Sequence, residues 1–214
     1  MRNQKVILFV NIFLAALFAA FSVVVVLCKE QNEEVHIVRE IDNQWAYFLI
    51  NRDNPLPDDY SPELAAVEGK FMLDSRCADY AVQMLEDARA EGLDVAVVSA
   101  YRSPQKQKEN YSAYISRLIK EGYSSIDAAK ITAKEIAPPG ASEHNAGLAL
   151  DILTGDWWAT HNDVTDDFEN TDEFRWLSEN SWKYGFILRY PKEDEETTGY
   201  IYEPWHYRFV GLYY

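Results

Sequence analysis

Hydrophobic residues recur at helical spacing in four stretches of the chain. In the first stretch, residues 74–92, one helix face would collect Cys77, Tyr80, Ala81, Met84, Leu85 and Ala88. Residues three and four apart share a face of an α-helix, so this pattern predicts an amphipathic helix. Asp74 or Ser75 suits its N-cap, and Gly92 suits its end.

The other three helices are predicted by their boundary residues as well as by their spacing. The second covers residues 104–122, with a proline in its first turn and a glycine at its end. The third begins at Ser124 or Ser125 and ends before Pro138. The fourth covers residues 170–185 and has acidic residues in its first turn, which suits the helix dipole.

Four other segments have the composition or the two-residue period of β-strands. A buried strand is predicted within residues 93–103, and "AGLALDI" at 146–152 alternates large and small side chains. Residues 186–191 and 199–211 predict two strands joined across the turn at 197–199. Helices come first and the strands cluster late with short connections. The pattern therefore predicts an α+β fold with a small, central, mostly antiparallel sheet flanked by helices.

The N-terminal segment has a different pattern, because residues 6–27 are apolar except for Asn11 and Ser22. As a helix this segment would be about 33 Å long, enough to cross a bilayer. Arg2 and Lys5 precede it and glutamates follow it, so we expect a cytoplasmic N-terminus and an exported remainder.

The alternative for this segment is a cleavable signal peptide, which usually has a shorter apolar region and an A-x-A cleavage site. No clear site of that kind is present. We therefore expect a membrane anchor at 1–28, an extended proline-containing connector at 29–60 and a globular domain at 61–214.

Charge and cysteine content restrict the class of the exported part. The formal net charge is −15, and residues 1–34 contain three basic and three acidic residues, so the whole excess lies beyond them. Such a surface is a poor partner for nucleic acid. Cys28 and Cys77 leave one cysteine in the exported domain, too few for an internal disulfide framework.

Candidate chemistry first occurs in the "SEHNAGLALDI" segment. Alternation turns the large side chains to one face and places Asp151 among small residues on the other, with His144 in the loop just before. A carboxylate is uncommon inside a strand. Taken alone, Asp151 could be an edge-strand charge and His144 a surface residue.

A second cluster, "EPWHYRF", contains Glu203 and His206. Residues three apart on a regular strand point to opposite faces, so these two converge only if Pro204 bends the backbone. Taken alone, His206 could be a packed core histidine. The other two histidines, His36 and His161, lie in polar surroundings that favour the solvated surface.

Together, the two clusters supply the parts of a hydrolytic metal site. Two imidazoles and one carboxylate, from His144, Asp151 and His206, are the ligand set of a catalytic Zn²⁺ with one open position. Glu203 is then placed to act as general base. The combination predicts metal-assisted hydrolysis, with Zn²⁺ as cofactor.

The motifs that contain these residues resemble those of a known family. "SEHNAGLALD" fits S-x-H-x-x-G-x-A-x-D and "EPWH" fits E-x-x-H, the paired motifs of the zinc D-alanyl-D-alanine peptidases. The similarity covers about residues 50–214 and is greatest to the membrane-anchored VanY-type carboxypeptidases. It implies zinc on His144, Asp151 and His206, with Glu203 as catalytic base.

The resemblance also implies a catalytic and substrate-binding role for Arg102, the arginine of the family's Y-R-S motif. Its guanidinium could hold a terminal carboxylate or the developing oxyanion, with Ser142 and Gln107 as candidate hydrogen-bonding partners. The alternative for Arg102 is a structural ion pair.

We therefore expect a D,D-carboxypeptidase on the extracytoplasmic face of a bacterial membrane. Its substrate would be a peptidoglycan stem peptide or precursor ending in D-Ala-D-Ala, and its action could contribute to glycopeptide resistance. An L,D-carboxypeptidase acting on tetrapeptides and a non-catalytic wall-binding or sensor module are the alternatives. A free dipeptidase suits a tethered protein less well, and the sequence does not indicate an oligomeric state.

Overall fold

A computed structural model describes residues 44–212 of the chain. The predicted membrane segment at 6–27 and His36 lie outside these residues. No helix between residues 44 and 212 is both long and apolar enough to cross a bilayer. The chain divides into two units, Met1–Trp45 and Ala46–Tyr214. A short 3₁₀ helix, Gln44–Ala46, is the first described element.

The central sheet has four strands, which are β3 (Val95–Ser99), β4 (Ala149–Thr154), β5 (Phe186–Leu188) and β6 (His206–Phe209). Their order across the sheet is β3, β4, β6 and β5, and all the described pairings are antiparallel. This sheet and the surrounding helices confirm the predicted α+β class.

A separate antiparallel hairpin precedes the sheet in the chain. It consists of β1 (Leu64–Glu68) and β2 (Phe71–Asp74), and Gly69 in its turn has a φ of 54°. The hydrophobic pattern predicted no strands here. Strands of five and four residues, most of them partly exposed, are too short to establish a clear period.

Four longer helices agree closely with the sequence pattern. They are α1 (Ala78–Ala90), α2 (Pro104–Lys120), α3 (Ser125–Glu135) and α5 (Asp172–Asn180). The Ser124 side chain accepts a hydrogen bond from the Asp127 backbone N–H at the start of α3. Ser103 does the same for α2 through the Lys106 N–H. These caps satisfy N–H groups that the helix itself leaves unpaired.

The predicted N-cap of α1 was wrong. The helix begins after Cys77, and Asp74 instead ends β2. The Asp74 carboxylate accepts hydrogen bonds from both the backbone and the side chain of Arg76. Asp74 therefore closes a tight turn between strand and helix. Cys77 is a buried free thiol in the described part of the chain.

Two shorter helices were not predicted. Helix α4 (Gly155–His161) directly follows β4, and α6 (Glu195–Thr198) lies with a 3₁₀ turn at Lys192–Asp194 in an acidic stretch of the chain. A 3₁₀ helix at Ser181–Tyr184 extends α5 to Gly185, whose φ is 80°. A Cβ at Gly185 would lie 2.7 Å from the Phe209 ring, so glycine permits close packing against β6.

The last predicted strand was too long. Residues 199–205 are irregular, and β6 begins only at His206. The His206 backbone N–H donates to the Glu203 carbonyl at 3.2 Å, which closes a turn across Pro204. Proline has no N–H for a sheet ladder, which explains why the strand cannot extend through it. The predicted bend at Pro204 is therefore present.

Strand β4 lies at the centre of the sheet and is buried on both faces, unlike the two-faced strand that alternation suggested. Its residue Asp151 pairs with Ser99 on one side and with His206 on the other. Leu150 and Ile152 are fully buried in the core, together with Tyr207 of β6. The sheet thus fixes a carboxylate and an imidazole side by side.

Candidate active site

Three side chains converge at the middle of the sheet: His144, Asp151 and His206. One ligand atom from each lies within 4.8 Å of the other two. His144 Nε2 is 3.3 Å from one oxygen of Asp151, and His206 Nδ1 is 3.1 Å from the other. All three residues are buried. The structure therefore brings together the three residues predicted from the sequence as metal ligands, two of them on the sheet and His144 in the segment just before it.

Local structure determines how His144 reaches this point. It lies in a 3₁₀ helix, Glu143–Ala146, that ends at Gly147 just before β4. The Arg102 backbone N–H donates to the His144 carbonyl, and His144 Nδ1 bonds to the Ala100 carbonyl at 2.8 Å. A carbonyl only accepts, so Nδ1 carries the proton and the Nε2 lone pair faces Asp151.

The donor set suits Zn²⁺. Two imidazole nitrogens and one carboxylate oxygen are common zinc ligands, and three protein ligands leave a coordination position for a substrate or water. A carbonyl that fixes the tautomer of a ligand histidine is also usual at metal sites. Burial would raise the pKa of Asp151, but His144 and His206 outweigh it and hold that pKa far below its usual range. The carboxylate is therefore ionised, as a metal ligand must be.

Glu203 lies beside the three candidate ligands. One of its oxygens is 3.6 Å from His206 Nδ1, and its side chain is 12% exposed. Burial raises the pKa of the Glu203 carboxyl to about 8, against the opposing charge of His206. The residue reaches this position through the turn at Pro204, as the bend predicted from the sequence requires.

Arg102 lies near the same Asp151 oxygen as His144 Nε2. Its guanidinium donates to the Gln107 side-chain oxygen and to the Ser99 hydroxyl, both at 2.8 Å. It also lies 3.9 Å from Asp151. The ion pair considered as the alternative is thus present, but 21% of the side chain is still exposed.

The Gln107 side chain is already hydrogen-bonded within the protein, whereas Ser142 lies in the lining of the site's cavity. The Gln107 amide also donates to the Ala137 carbonyl at 2.7 Å, so both its oxygen and its nitrogen are already engaged. Gln107 therefore holds Arg102 in place. Ser142 is buried and precedes the 3₁₀ helix that carries His144.

A cavity of about 240 Å³ lies over these side chains. All seven residues predicted from the sequence line it: Arg102, Gln107, Ser142, His144, Asp151, Glu203 and His206. Tyr190, Tyr200 and Trp205 form aromatic walls. An adjoining cavity of about 460 Å³ shares Arg102, Asn110, Asp151 and Val164 with the first.

Glu143 is a further buried acid at the site, which the sequence did not indicate. One of its oxygens accepts from Arg189 Nε at 2.8 Å and lies 3.2 Å from Arg208, while the other lies 3.1 Å from His206 Nε2. Burial would raise the pKa of Glu143, but Arg208 and His206 outweigh it and lower the pKa to about 2. Neither arginine had been assigned a role, and no sequence signal linked either of them to Glu143.

His206 therefore lies between two carboxylates. Burial would lower its pKa, but the hydrogen bonds to Asp151 and Glu143 raise it to about 10. Burial lowers the pKa of His144, where only Asp151 opposes the effect. His161, by contrast, is exposed at the end of α4 and stacks on Trp157. It does not line the cavity.

Comparison with known proteins identifies relatives of the whole described domain. Residues 70–212 match the family model described as "VanY: D-alanyl-D-alanine carboxypeptidase". A D-alanyl-D-alanine carboxypeptidase of Enterococcus faecalis is 38% identical over 184 residues, which cover 86% of this chain and 62% of the relative. The chain thus spans less than two thirds of that protein's length.

Solved structures of similar proteins include two with ligands relevant to the site. VanYB in complex with D-Alanine-D-Alanine has a TM-score of 0.70 at 38% identity, covering 79% of this chain and 88% of that one. A mutant of the vancomycin resistance D,D-pentapeptidase VanY in complex with Zn(II) has a TM-score of 0.68 at 37% identity, with coverages of 79% and 90%. The LdcB LD-carboxypeptidase has a TM-score of 0.64 at 33% identity, with coverages of 77% and 76%.

Proposed function

Because this chain belongs to the VanY family of D-alanyl-D-alanine carboxypeptidases, we propose that it is a zinc-dependent D,D-carboxypeptidase. Its substrate is a peptidoglycan stem peptide or precursor that ends in D-Ala-D-Ala. The observation that carries the proposal is the convergence of His144, Asp151 and His206 in one cavity, with Glu203 beside them.

The two histidines and the aspartate are the residues that would hold the metal. Zn²⁺ bound by them supplies Lewis-acid activation of the scissile carbonyl and of the attacking water. The zinc complex reported for a VanY relative supports the choice of metal.

Glu203 acts as the general base in this scheme. When ionised, it accepts a proton from the attacking water and delivers a proton to the nitrogen of the departing D-alanine. The charge of a bound Zn²⁺ would favour that ionised form. Its place beside the ligand set, rather than in it, supports that role. A base in this position also argues against a non-catalytic binding or sensor module, which has no need of one.

Arg102 binds negative charge on the substrate. Two of its nitrogens are held by Gln107 and Ser99, which fixes the guanidinium at the edge of the cavity while part of it stays exposed. A fixed guanidinium can stabilise the terminal carboxylate or the oxyanion that develops on the scissile carbonyl. Ser142 is a further candidate donor to the substrate.

An L,D-carboxypeptidase is the second candidate, favoured by the likeness to the LdcB structure. D,D-specificity is preferred because the VanYB structure, with the higher TM-score, is in complex with D-Alanine-D-Alanine. Loss of terminal D-alanine would remove the target of glycopeptide antibiotics, so the activity could contribute to resistance.

The location proposed is the outer face of the cytoplasmic membrane, with residues 6–27 as a single-pass anchor. The apolar character of this stretch and the basic residues before it support the proposal. A tethered domain suits a substrate that is linked to lipid or wall.

The test is hydrolysis of a stem pentapeptide and a stem tetrapeptide, offered separately to the purified, zinc-loaded protein in detergent. Released D-alanine is measured by mass spectrometry, with a chelator-treated sample as control. Release from the pentapeptide that stops at the tetrapeptide supports D,D-carboxypeptidase activity. Attack on the tetrapeptide alone would transfer the assignment to L,D-specificity, and no release from either would contradict both.

A further inference from the structure

We infer that Glu143 is a positioning residue for the metal site: held by Arg189 and Arg208, it fixes the His206 ring so that Nδ1 faces the metal. The inference rests on the metal site of the proposed function. It concerns a residue that the ligand and base assignments leave without a role.

The two nitrogens of His206 have different surroundings. Nδ1 faces Asp151 and Glu203, the side on which the other ligand atoms converge. Nε2 lies 3.1 Å from an oxygen of Glu143. An ionised carboxylate can only accept, so it requires a proton on Nε2, and Nδ1 is then the nitrogen that gives up its proton to bind the metal.

The Glu143 carboxylate divides its contacts between its two oxygens. Oε1 receives both guanidinium groups, from Arg189 at 2.8 Å and Arg208 at 3.2 Å. Oε2 is directed at His206 alone among the polar contacts described for it. Two cations on one oxygen hold the carboxylate in place and keep it ionised, so the second oxygen is a fixed acceptor.

Arg208 is also held by backbone carbonyls. Its side chain is 3% exposed, and it donates to the carbonyls of Ala46, Phe48 and Phe209. These carbonyls provide acceptors independently of Glu143. A carboxylate needed only to neutralise Arg208 would have no reason to direct its other oxygen at a ligand histidine.

His144, the other candidate ligand histidine, has an equivalent arrangement. Its Nδ1 bonds to the Ala100 carbonyl, so a backbone acceptor fixes its tautomer. His206 lies on β6, and the acceptor at its Nε2 is the side-chain carboxylate of Glu143 instead of a backbone carbonyl. Each ligand imidazole thus has one acceptor on the nitrogen that faces away from the metal.

The test replaces Glu143 by glutamine, which has nearly the same shape. If the Gln oxygen accepts from the arginines, its NH₂ group faces His206 Nε2, which must then accept. The ring proton moves to Nδ1, the atom required by the metal. We expect the zinc affinity, measured by competition with a chromophoric chelator, to fall about 10- to 100-fold.

A second readout follows the tautomer directly. In the zinc-loaded protein, ¹⁵N-edited spectra should show a proton on His206 Nε2 that exchanges slowly with solvent, and E143Q should lose it. Glu169→Gln is the matched control, because it removes one carboxylate that is bonded to Lys192 and does not line the cavity. It should bind zinc like the unmodified protein.

Wild-type zinc affinity in E143Q, with the Nε2 proton retained, would overturn the inference. If E143Q does not fold, Glu143→Asp decides, because it keeps the charge on the arginines but draws the second oxygen away from His206. Reduced affinity in E143D supports the inference, and unchanged affinity overturns it. Absence of zinc binding by the unmodified protein would instead contradict the proposed function.

Discussion

At the scale of single residues, Glu203 separates metal binding from turnover. Its carboxyl lies 3.6 Å from His206 Nδ1 but is outside the group of three candidate ligands. Glu203→Gln should therefore keep zinc affinity while losing about 10²- to 10⁴-fold in kcat, the usual contribution of a general base. Steady-state kinetics on the stem pentapeptide and a zinc titration measure the two effects separately.

Glu169→Gln is again the control, because it removes a carboxylate that does not line the cavity. It should leave kcat unchanged. A Glu203→Gln enzyme with full turnover would remove the base from the proposed mechanism, whereas loss of zinc as well would place Glu203 among the ligands.

The site residues that could be predicted were those whose type is rare or whose position breaks a pattern. Asp151 is conspicuous because it interrupts an apolar strand, and His206 because the sequence has only four histidines. Glu143 gave no such signal, since an acid in a loop of an acidic protein is ordinary. Its role depends on contacts with Arg189 and Arg208, which lie 46 and 65 positions away and meet it only in the fold.

At the scale of elements, Gly147 joins the 3₁₀ helix of His144 to strand β4. Its φ is 70°, and a Cβ there would lie 2.8 Å from the Asp74 backbone nitrogen, which donates to the Gly147 carbonyl. Gly147→Ala should lower the free energy of unfolding by about 1–3 kcal/mol, through backbone strain and the clash. Because His144 lies three residues away, zinc affinity should fall too.

Gly92→Ala provides the matched control for that prediction. Gly92 has a φ of 89°, but nothing lies within 4 Å of its Cβ position. It carries the conformational cost without the clash and is far in sequence from the ligands. Urea unfolding of both variants should show the larger loss in Gly147→Ala. Equal losses, with zinc affinity unchanged in both, would mean that β2 simply moves to accommodate the methyl group.

Helices were more predictable than strands in this chain. The proline at 104 and the serine at 124 are local signals, and α2 and α3 begin where those signals indicated. Strand β6 depends on its neighbours β4 and β5, and its start is set by the turn at Pro204. The β1–β2 hairpin has no local period to detect, and its register is evident only from the pairing.

At the scale of the whole molecule, the metal would connect parts of the chain that are distant in sequence. His144, Asp151 and His206 belong to a 3₁₀ helix and two strands, and these ligands are separated by up to 62 positions. A ligand that binds only the folded state stabilises it by about 2.7 kcal/mol at 100 times its Kd. For a domain of this size we expect a rise in Tm of about 5–10 °C on adding zinc.

Differential scanning calorimetry of the chelator-treated and zinc-loaded protein measures this shift. In His206→Ala the zinc-dependent rise should disappear, whereas His161→Ala, which removes an exposed histidine, should retain it. An equal rise in both variants would mean that zinc binds elsewhere.

The membrane anchor is the remaining prediction at this scale, and it concerns residues outside the described part of the chain. Residues 6–27 contain no charged side chain, and the strongly acidic domain beyond them has no attraction to anionic lipid. The full chain should therefore stay with bacterial membranes after alkaline carbonate extraction, because an apolar span holds it there. Deletion of residues 1–28 should release the protein into the soluble fraction.

Orientation is tested in the same cells. With Arg2 and Lys5 on the cytoplasmic side, protease added to intact spheroplasts should digest the domain, while a cytoplasmic marker protein stays intact. A domain that is protected until the cells are lysed would reverse the predicted orientation and separate the enzyme from a wall-linked substrate. Release of the full chain by carbonate would instead indicate that residues 6–27 do not span the membrane, or that they are removed as a signal peptide.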